Sequence, residues 1–388
     1  MTILDKLSKY LLILFIFSLI PAAVFRIPIF NLSGFIYPSD FLAGLLVIPN
    51  AINIIQLRRY YSQIKLVRYL LLLYAAFFLS LFFSPLKMTA VERGTAMMYL
   101  LRFIAYTSVI FTVHKLYSKD IISLRLLKIT FLISTGIIAF FGWIEYFLYP
   151  DLRNLYYLGW DPHYKRIFSS FLDPNFLGLF MVLSLLLVLL SKIRRYQKWI
   201  LGALFFFTLM FTYSRGSYLA LIISILFYFI KTHTTRSILV IILLIGITAV
   251  LLPRPSGAGV RLERLFSITE RLENWKFGWK VFVNHPILGV GFNTVRYAKV
   301  LYQYPQDNLL ASHSGAGLDN SFLLVAATSG IIGLTVFLML LFQIYSHASM
   351  LIKASLIAIA IHSFFVNSFF YPWVMVWLWI MIGITMKN

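Results

Sequence analysis

Long apolar runs separated by short polar segments make up most of the chain. A helix needs roughly 20 mostly apolar residues to cross the hydrocarbon of a bilayer. Hydropathy therefore predicts about twelve spans, near residues 10–28, 35–55, 67–85, 94–113, 126–149, 174–191, 199–213, 216–231, 237–252, 321–345, 350–370 and 372–386. The first run follows Lys6 and Lys9 and resembles a signal peptide, but we interpret it as an uncleaved span because further spans follow. The predicted fold class is an all-α integral membrane protein, with residues 1–388 as a single polytopic domain.

One long hydrophilic segment, residues 253–318, interrupts this pattern between the ninth and tenth spans. Apolar residues recur within it at spacings of three and four from Leu262 to Phe282, which is the stripe of an amphipathic helix. Pro286 ends that helix, and Asn293 is expected to cap a second helix over residues 294–304. A helix of the first kind would lie on the membrane surface or cap a cavity between spans.

Composition and charge support the membrane class and give the predicted orientation. The chain is 61% hydrophobic and 12% charged, with a net charge of +21. Of the 34 Lys and Arg, 18 lie on one side of the predicted spans, whereas the short segments of the other side hold six. The positive-inside rule then places both termini in the cytoplasm and the long loop outside. Much of the positive charge therefore serves to orient the chain in the membrane and to attract anionic lipid headgroups. No nucleic acid partner is predicted.

The sequence gives no sign of a metal site or a cofactor. It contains no cysteine, which excludes disulfides and thiolate ligands. No cluster of His and acidic residues has the spacing of metal ligands, and there is no glycine-rich loop of the nucleotide-binding type.

Four stretches of the chain carry motifs of a known kind: RIFSSFLDPNFLGLF (166–180), YSRGSYLAL (213–221), ERLENWKFGWKVFVNHPILGVGF (270–292) and DNSFLLVAATSGIIGL (319–334). Together they resemble one bacterial family, the O-antigen ligase and polymerase superfamily of polytopic glycan transferases. Each stretch alone is a weak signal, but all four occur in the family's order, with the long loop late in the chain. The resemblance covers about residues 160–370.

The resemblance implies a glycan donor carried on a polyprenyl diphosphate at the outer face of the bacterial cytoplasmic membrane. It also implies transfer to a glycan or glycolipid acceptor, and a chain-length regulator as a further partner. Such a reaction needs cations for the diphosphate, and the planar fork of arginine matches phosphate oxygens. Arg215, Arg271 and Arg166 are the candidates. Each has a simpler alternative, since Arg215 could anchor a span, Arg271 could pair with Glu270 or Glu273, and Arg166 could be an ordinary loop charge.

The reaction also needs a base that takes the proton of the acceptor hydroxyl. In ligases of the family the residue before the Asn of the last motif is typically a His that is regarded as this base, whereas here the position holds Asp319. His313, six residues upstream, is the second candidate. Asp319 could also serve as the N-cap of the following helix.

Other residues of the resembling stretches are expected to shape the backbone. Asp173 and Asn175 would cap the sixth span, and His285 would hold a turn by a local hydrogen bond. Gly330 and Gly333 would permit close helix packing. The remaining motif residues in this structural group are Pro174, Pro286, Gly289, Gly291 and Asn320.

The acid at position 319 favours a polymerase of O-antigen or another surface polysaccharide over a ligase that transfers glycan to lipid A core. A polysaccharide flippase or secondary transporter is the alternative from a different class. Transporters tend to show two related halves, and the halves of this chain do not resemble each other.

Overall fold

The protein is a bundle of helices, seen here in a computed structural model. The model describes residues 2–29, 34–51, 65–158, 160–232, 246–248, 250–253, 258–262, 266–304 and 317–385. The α-helices in chain order are α1 Ile3–Phe17, α2 Pro38–Ala51, α3 Lys65–Phe82, α4 Ala90–Ser118, α5 Leu124–Leu148, α6 Pro174–Leu189, α7 Arg195–Phe211, α8 Arg215–Thr232, α9 Phe266–Asn284, α10 Val295–Leu301, α11 Ser321–His347, α12 Met350–His362 and α13 Pro372–Gly383. Two short antiparallel strands, β1 Ile27–Pro28 and β2 Phe35–Ile36, precede α2.

Five of the described helices, α3, α4, α5, α8 and α11, are long and apolar enough to cross a membrane. Shorter apolar helices accompany them at Pro38–Ile48, α6, α12 and α13. The all-α membrane class is therefore confirmed, while the count of twelve spans stays a prediction. Most of the ninth predicted span, 237–252, lies outside the described residues.

Several helix bounds differ from the predicted ones because local signals end the helices. α1 begins at Ile3, where Thr2 and Asp5 form a capping box, and it ends before Pro21. α12 stops at His362, whereas the apolar pattern predicts helix to residue 370. The chain beyond it supplies hydrogen bonds to α11, since the Ser363 carbonyl accepts from the Ser321 N–H at 2.9 Å. Asn367 Oδ1 also accepts from Ser321 Oγ, at 3.0 Å.

Two helices form the centre of the bundle and are buried almost all round. α6 packs against α5, α7, α8 and α12, while α13 packs against α4. Their sequences are apolar on every face, which is typical of a helix that neither lipid nor water reaches. α6 begins sharply because Asp173 caps it and Pro174 occupies its first turn.

The long helix α11 is broken at Gly330, which has φ +62°. The loop after α9 fills the break: the Val290 and Gly291 N–H groups donate to the Ala327 and Thr328 carbonyls at 3.0 and 2.9 Å. In return the Ile331 N–H donates to the Pro286 carbonyl at 2.7 Å. Backbone groups that a straight helix would pair internally are thus satisfied by the loop, as a kink inside a packed bundle requires.

Two glycines make this close approach sterically possible. A Cβ on Gly330 would lie 2.1 Å from the Ile287 carbonyl oxygen, and one on Gly289 would lie 2.4 Å from the Thr328 carbonyl carbon. Both residues also have positive φ, which L side chains rarely adopt. The prediction that Gly330 permits close packing between helices is therefore wrong. Gly330 instead makes room for the loop after α9. Gly333 does lie at a close contact, with Ser329 of its own helix and Phe77 of α3.

The amphipathic helix predicted in the long segment is α9, and its apolar residues are divided between two faces. Phe277, Gly278 and Val281 are buried on the face that packs against α11. Leu272, Trp279 and other large apolar side chains are exposed. Contact of this second face with the membrane surface stays a prediction.

The second predicted helix, α10, is present but is capped differently from the expectation. Its N-cap is Thr294, which makes no capping side-chain bond because its hydroxyl donates to the Gly291 carbonyl at 2.7 Å. Asn293 instead occupies the left-handed region at φ 58°, a conformation in which Asn is enriched. Asn293 therefore shapes the turn before α10 rather than capping the helix.

Candidate functional site

Three helices begin at the same end of the bundle, which we call the site end. They are α6, α8 and α11, and α12 ends beside them. Asn175 in the first turn of α6 connects two of them: its carbonyl accepts from Ser217 Oγ of α8 at 3.1 Å, and its Oδ1 accepts from Ser214 Oγ at 3.2 Å. Helix N-termini carry partial positive charge and favour anions. The site end is therefore suited to an anionic group.

Asp173 and Asn175, both expected to cap α6, have different roles. Asp173 Oδ1 accepts from the Asn175 and Phe176 N–H groups at 2.7 and 3.4 Å, so the prediction is confirmed for Asp173. Asn175 does not cap the helix. Its side chain accepts from Arg166 Nη2 at 3.3 Å as well as from Ser214. Asn175 thus links Arg166 to the turn before α8.

Arg166 is buried, with 3% of its surface exposed, although it lies in a loop. Its Nε donates to the Thr212 carbonyl at 2.8 Å, and its Nη1 lies 3.3 Å from His163 Nδ1. An ordinary solvated loop charge would not be held in this way. Arg166 fixes the segment before α6 against the turn between α7 and α8, and its positive charge acts on Asp161 and Asp173.

Arg215 is the first residue of α8, and Arg271 lies on α9 near it. Arg215 Nη1 donates to the Leu262 carbonyl at 3.0 Å. Within the described part of the chain, the Arg271 guanidinium makes no hydrogen bond or ion pair, although the residue is half-buried. Of the two acids named as alternative partners of Arg271, Glu273 bonds Lys276 at 2.7 Å, and the charge of Glu270 interacts with that of Arg271. Arg271 therefore stays a candidate for the diphosphate.

The N-cap of α11 is Asn320, not Asp319. Asn320 Oδ1 accepts from the Phe322 and Leu323 N–H groups at 2.9 and 3.0 Å. The Asp319 backbone is held on both sides by α9, since its N–H donates to Asn274 Oδ1 at 3.0 Å and its carbonyl accepts from Trp275 Nε1 at 3.3 Å. Capping therefore does not use the Asp319 carboxylate, and the role of Asp319 as a base stays a prediction.

Four carboxylates lie close enough at the site end for their charges to act on one another: Asp161, Asp173, Glu270 and Asp319. Burial raises the pKa of Asp161 to about 7, and repulsion by the other three acids adds to this effect. The Asp161 side chain is nevertheless exposed to solvent. We call these four residues together the acidic cleft.

Burial also raises the pKa of Asp319, Asp173 and Glu270 from their ordinary values. Nearby Arg271 and Lys299 act on Asp319 in the opposite direction, because a positive charge favours the ionised form. A carboxylate with a raised pKa and a cation beside it can accept a proton near neutral pH. The cleft therefore combines a candidate base with guanidinium groups suited to an oxyanion.

The structure adds residues that sequence reasoning missed. Asp161 and Glu270 line the cleft, and Lys299 of α10 is fully buried close to Asp319. Asp161 lies in a loop and Glu270 and Lys299 on amphipathic helices, where charges are usually solvated, so nothing in their spacing marked them out. Only the packing of α9 and α10 against the start of α11 brings Lys299 to Asp319.

The remaining predicted residues belong to the loop that enters the α11 kink or lie outside the described chain. His285 Nε2 lies 3.2 Å from the Tyr302 hydroxyl, as expected of a residue that holds a turn. Pro286, Gly289 and Gly291 form the loop itself. His313 lies outside the described residues, so its place relative to Asp319 stays a prediction.

The model of the family described as O-antigen ligase matches residues 200–338. The matched range runs from α7 into α11 and includes Arg215, Arg271 and Asp319, whereas Arg166 and Asn175 lie before it. A search of the curated proteins found no match. The family match confirms the resemblance to the O-antigen ligase and polymerase superfamily, and three of the four resembling stretches lie inside it.

Proposed function

From the match of residues 200–338 to the O-antigen ligase family, we propose that the chain is a membrane glycosyltransferase of surface polysaccharide synthesis. It takes a glycan from a polyprenyl diphosphate donor and joins it to the hydroxyl of an acceptor glycan. The observation that carries this proposal is the half-buried Arg271 guanidinium, which makes no hydrogen bond or ion pair with the described residues and whose charge interacts with those of Arg215 and Asp319.

The chemistry assigns one task to each group. The acceptor oxygen attacks the anomeric carbon of the donor sugar, and its proton passes to the Asp319 carboxylate. The bond from the anomeric carbon to the diphosphate oxygen breaks, and the polyprenyl diphosphate leaves with the electron pair. Arg215 and Arg271 stabilise the charge on that leaving group, supported by the helix N-termini of the site end. A positioned base contributes about 100-fold to 10,000-fold to such a rate.

Asp319 and Arg271 reach the site from different elements, and the loop inside the α11 kink supports their spacing. Arg271 is carried by α9, and Asp319 immediately precedes α11. The hydrogen bonds of Val290, Gly291 and Ile331 tie the end of α9 to α11. A 1 Å misplacement can cost about 100-fold in rate. The motif glycines therefore support catalysis without touching the substrate.

The site end faces the outside of the bacterial cytoplasmic membrane in this proposal, and both termini lie in the cytoplasm. The basic short segments on the opposite side support this orientation. A donor energised by its lipid diphosphate suits that compartment, since the reaction needs no nucleotide. We assign no metal to the reaction, and the described residues contain no group of three or more His, Cys, Asp or Glu that could hold one.

A polymerase is favoured, with another lipid-linked repeat as the acceptor and a chain-length regulator as a partner. The acid at position 319 supports this choice. Ligation to lipid A core is the second candidate, favoured by the description of the matching family. The two reactions differ only in the acceptor, so the same residues serve both.

Transfer by the purified chain tests the proposal. The protein in detergent is mixed with a polyprenyl-diphosphate-linked oligosaccharide and separately with that donor plus a lipid A core acceptor. Longer lipid-linked glycans support a polymerase, and glycan on the core supports a ligase. A flippase or transporter would need two compartments and would form no new glycosidic bond in detergent. Arg271→Lys serves as the inactive reference. If the native chain forms no more glycosidic bonds than this variant, the proposal is contradicted.

A further inference from the structure

We propose that a cavity between α3 and α11 binds an anionic phospholipid, at the end of the bundle opposite the site end. The cavity has a volume of about 590 Å³. Its lining includes Lys65, Arg68 and Tyr69 of α3 and Leu338, Met339 and Phe342 of α11. We call it the α3–α11 cavity. The inference does not depend on the proposed function, whose residues lie at the other end of α11.

One face of each helix forms the α3–α11 cavity. The three α3 residues lie within one turn, at spacings of three and four from the first, and the α11 residues recur at the same spacings. Thr335 and Gln343 are the outermost members of the α11 set, so the cavity extends about 12 Å along this helix at 1.5 Å per residue. α3 and α11 pack against each other, and both are long and apolar enough to cross a membrane. A lipid of the surrounding bilayer can therefore reach the cavity.

The cavity contains two cations that the described part of the chain does not neutralise. The Lys65 and Arg68 side chains make no hydrogen bond or ion pair with a described residue, and the first turn of α3, in which both lie, holds no acid. Asp5, an acid at the same end of the bundle, is already paired with Lys119 at 3.0 Å and with Lys115 at 3.7 Å. The charge of the cavity therefore favours an anion from outside the chain.

The α11 side of the cavity is apolar and uncovered. Leu338, Met339 and Phe342 have 46%, 47% and 71% of their surface exposed. A small soluble anion would bind the two cations and leave this apolar wall uncovered. An amphiphile with an anionic head matches both parts, because its acyl chain covers the wall while its head meets the cations. The cavity therefore fits a phospholipid better than a free phosphate.

Each part of the lipid head has a matching group in the lining. The Arg68 fork can bind two phosphate oxygens, and the Lys65 ammonium adds a second positive charge. The Tyr69 hydroxyl and the Gln343 amide can hydrogen bond with glycerol or ester oxygens. The basic short segments predict that this end faces the cytoplasm, whose leaflet carries anionic lipid. The net charge of the chain attracts such lipids without selecting a place, whereas this cavity combines cations with an apolar wall.

Lipid binding by the purified full chain tests the inference. Native mass spectrometry from detergent compares phosphatidylglycerol with phosphatidylcholine of the same acyl chains, and the native chain should bind phosphatidylglycerol more tightly. The double variant Lys65→Gln with Arg68→Gln should weaken that binding about 30-fold, at about fivefold for each cation. Lys192→Gln with Arg195→Gln is the matched control, since it removes the same charge from exposed residues on the same predicted side, outside the cavity lining.

A second variant and a second measurement separate a lipid from a free anion. Leu338→Trp keeps both cations but fills part of the cavity, so it should also weaken phosphatidylglycerol binding. Phosphatidylglycerol should raise the thermal unfolding midpoint of the native chain more than that of the double variant, because a ligand stabilises the state that binds it. An equal rise with inorganic phosphate would overturn the assignment to a lipid. Equal binding of phosphatidylglycerol by the native chain, the double variant and the control would overturn the site itself.

Discussion

At the residue scale, the guanidinium groups of the site end differ in what they already contact. Arg166 donates to the Thr212 carbonyl and to Asn175, so much of its capacity is used in holding the fold. Arg271 makes no hydrogen bond or ion pair within the described residues. The structure therefore distinguishes an arginine that holds the fold from one that makes no such contact within the described residues, although all three were equivalent candidates by residue type.

Replacement of Arg215 or Arg271 by lysine should cut transfer by about tenfold or more, because lysine keeps the charge but lacks the bidentate fork. The measurement is turnover of a polyprenyl-diphosphate-linked glycan, with membrane insertion checked in parallel. Arg153→Lys is the control, since Arg153 is an exposed arginine already paired with Asp151 at 2.7 Å. Full activity of both Arg215→Lys and Arg271→Lys would contradict a role in diphosphate binding and would favour a role in anchoring.

The identity of the base can be decided by substitutions at two positions. Asp319→Asn should abolish transfer, since the amide cannot accept a proton at neutral pH, and it should scarcely affect stability because Asn320 caps α11. His313→Gln should be mild. Loss of transfer in His313→Gln together with an active Asp319→Asn would move the base to position 313.

Asp319→His restores the residue that ligases of the family typically carry at this position. Retained activity would indicate that the site needs a proton acceptor there rather than a carboxylate. Loss of activity in a normally folded protein would indicate that the spacing to Arg271 and Lys299 is built around the shorter acid. Turnover and thermal unfolding in detergent, measured on the same preparation, distinguish the two results.

At the scale of the elements, α9, the loop at residues 286–291 and the kinked α11 act as one unit. The loop donates two N–H groups to carbonyls that the kink releases and accepts one N–H in return. α9 also holds the Asp319 backbone through Asn274 and Trp275. The unit is therefore fixed at its middle by the loop and at its site end by these two side chains.

Gly330→Ala and Gly289→Ala should each destabilise the protein by about 2 kcal/mol or more, because positive φ and a steric clash coincide at both positions. Transfer should fall as well, since the spacing between Arg271 and Asp319 depends on the loop. Gly136→Ala is the control: it lies within α5 with nothing near its Cβ position. Thermal unfolding in detergent measures the difference, and equal midpoints for all three variants would contradict the role of the kink.

At the scale of the whole molecule, the distribution of charge predicts the orientation in the membrane. A reporter fused after residue 195 should read cytoplasmic, and one fused after residue 300 should read extracytoplasmic. A pair of fluorescence and alkaline phosphatase reporters measures both positions. The reverse pattern would place the acidic cleft in the cytoplasm and remove the basis for an external active site.

The amino-acid sequence by itself determined the membrane class, the α9 helix and the resemblance to the O-antigen ligase and polymerase superfamily. Each follows from information that is local in the chain: apolar runs of membrane length, a spacing of three and four, and short motifs in a fixed order. The match at residues 200–338 and the five long apolar helices agree with those predictions. Helix starts at Asp173 and Asn320 likewise depend on neighbouring residues, although the sequence pattern indicated Asp319, not Asn320, as the possible cap.

Only the tertiary structure decided which side chains meet. A glycine pair in an apolar helix indicates close helix packing. Nothing near Gly330 in the sequence indicates that a loop 40 residues upstream will replace the backbone hydrogen bonds of α11 at the kink. Asp161 and Lys299 lie about 160 and 20 residues from Asp319 in the chain, and their charges act on it only because the fold brings them near. Electrostatic interactions depend on distance and burial, which hydropathy and spacing do not encode. Residues close together in the chain thus determine the helices. The site depends on residues far apart in the chain, which meet where three helix starts and the α9–α10 pair come together.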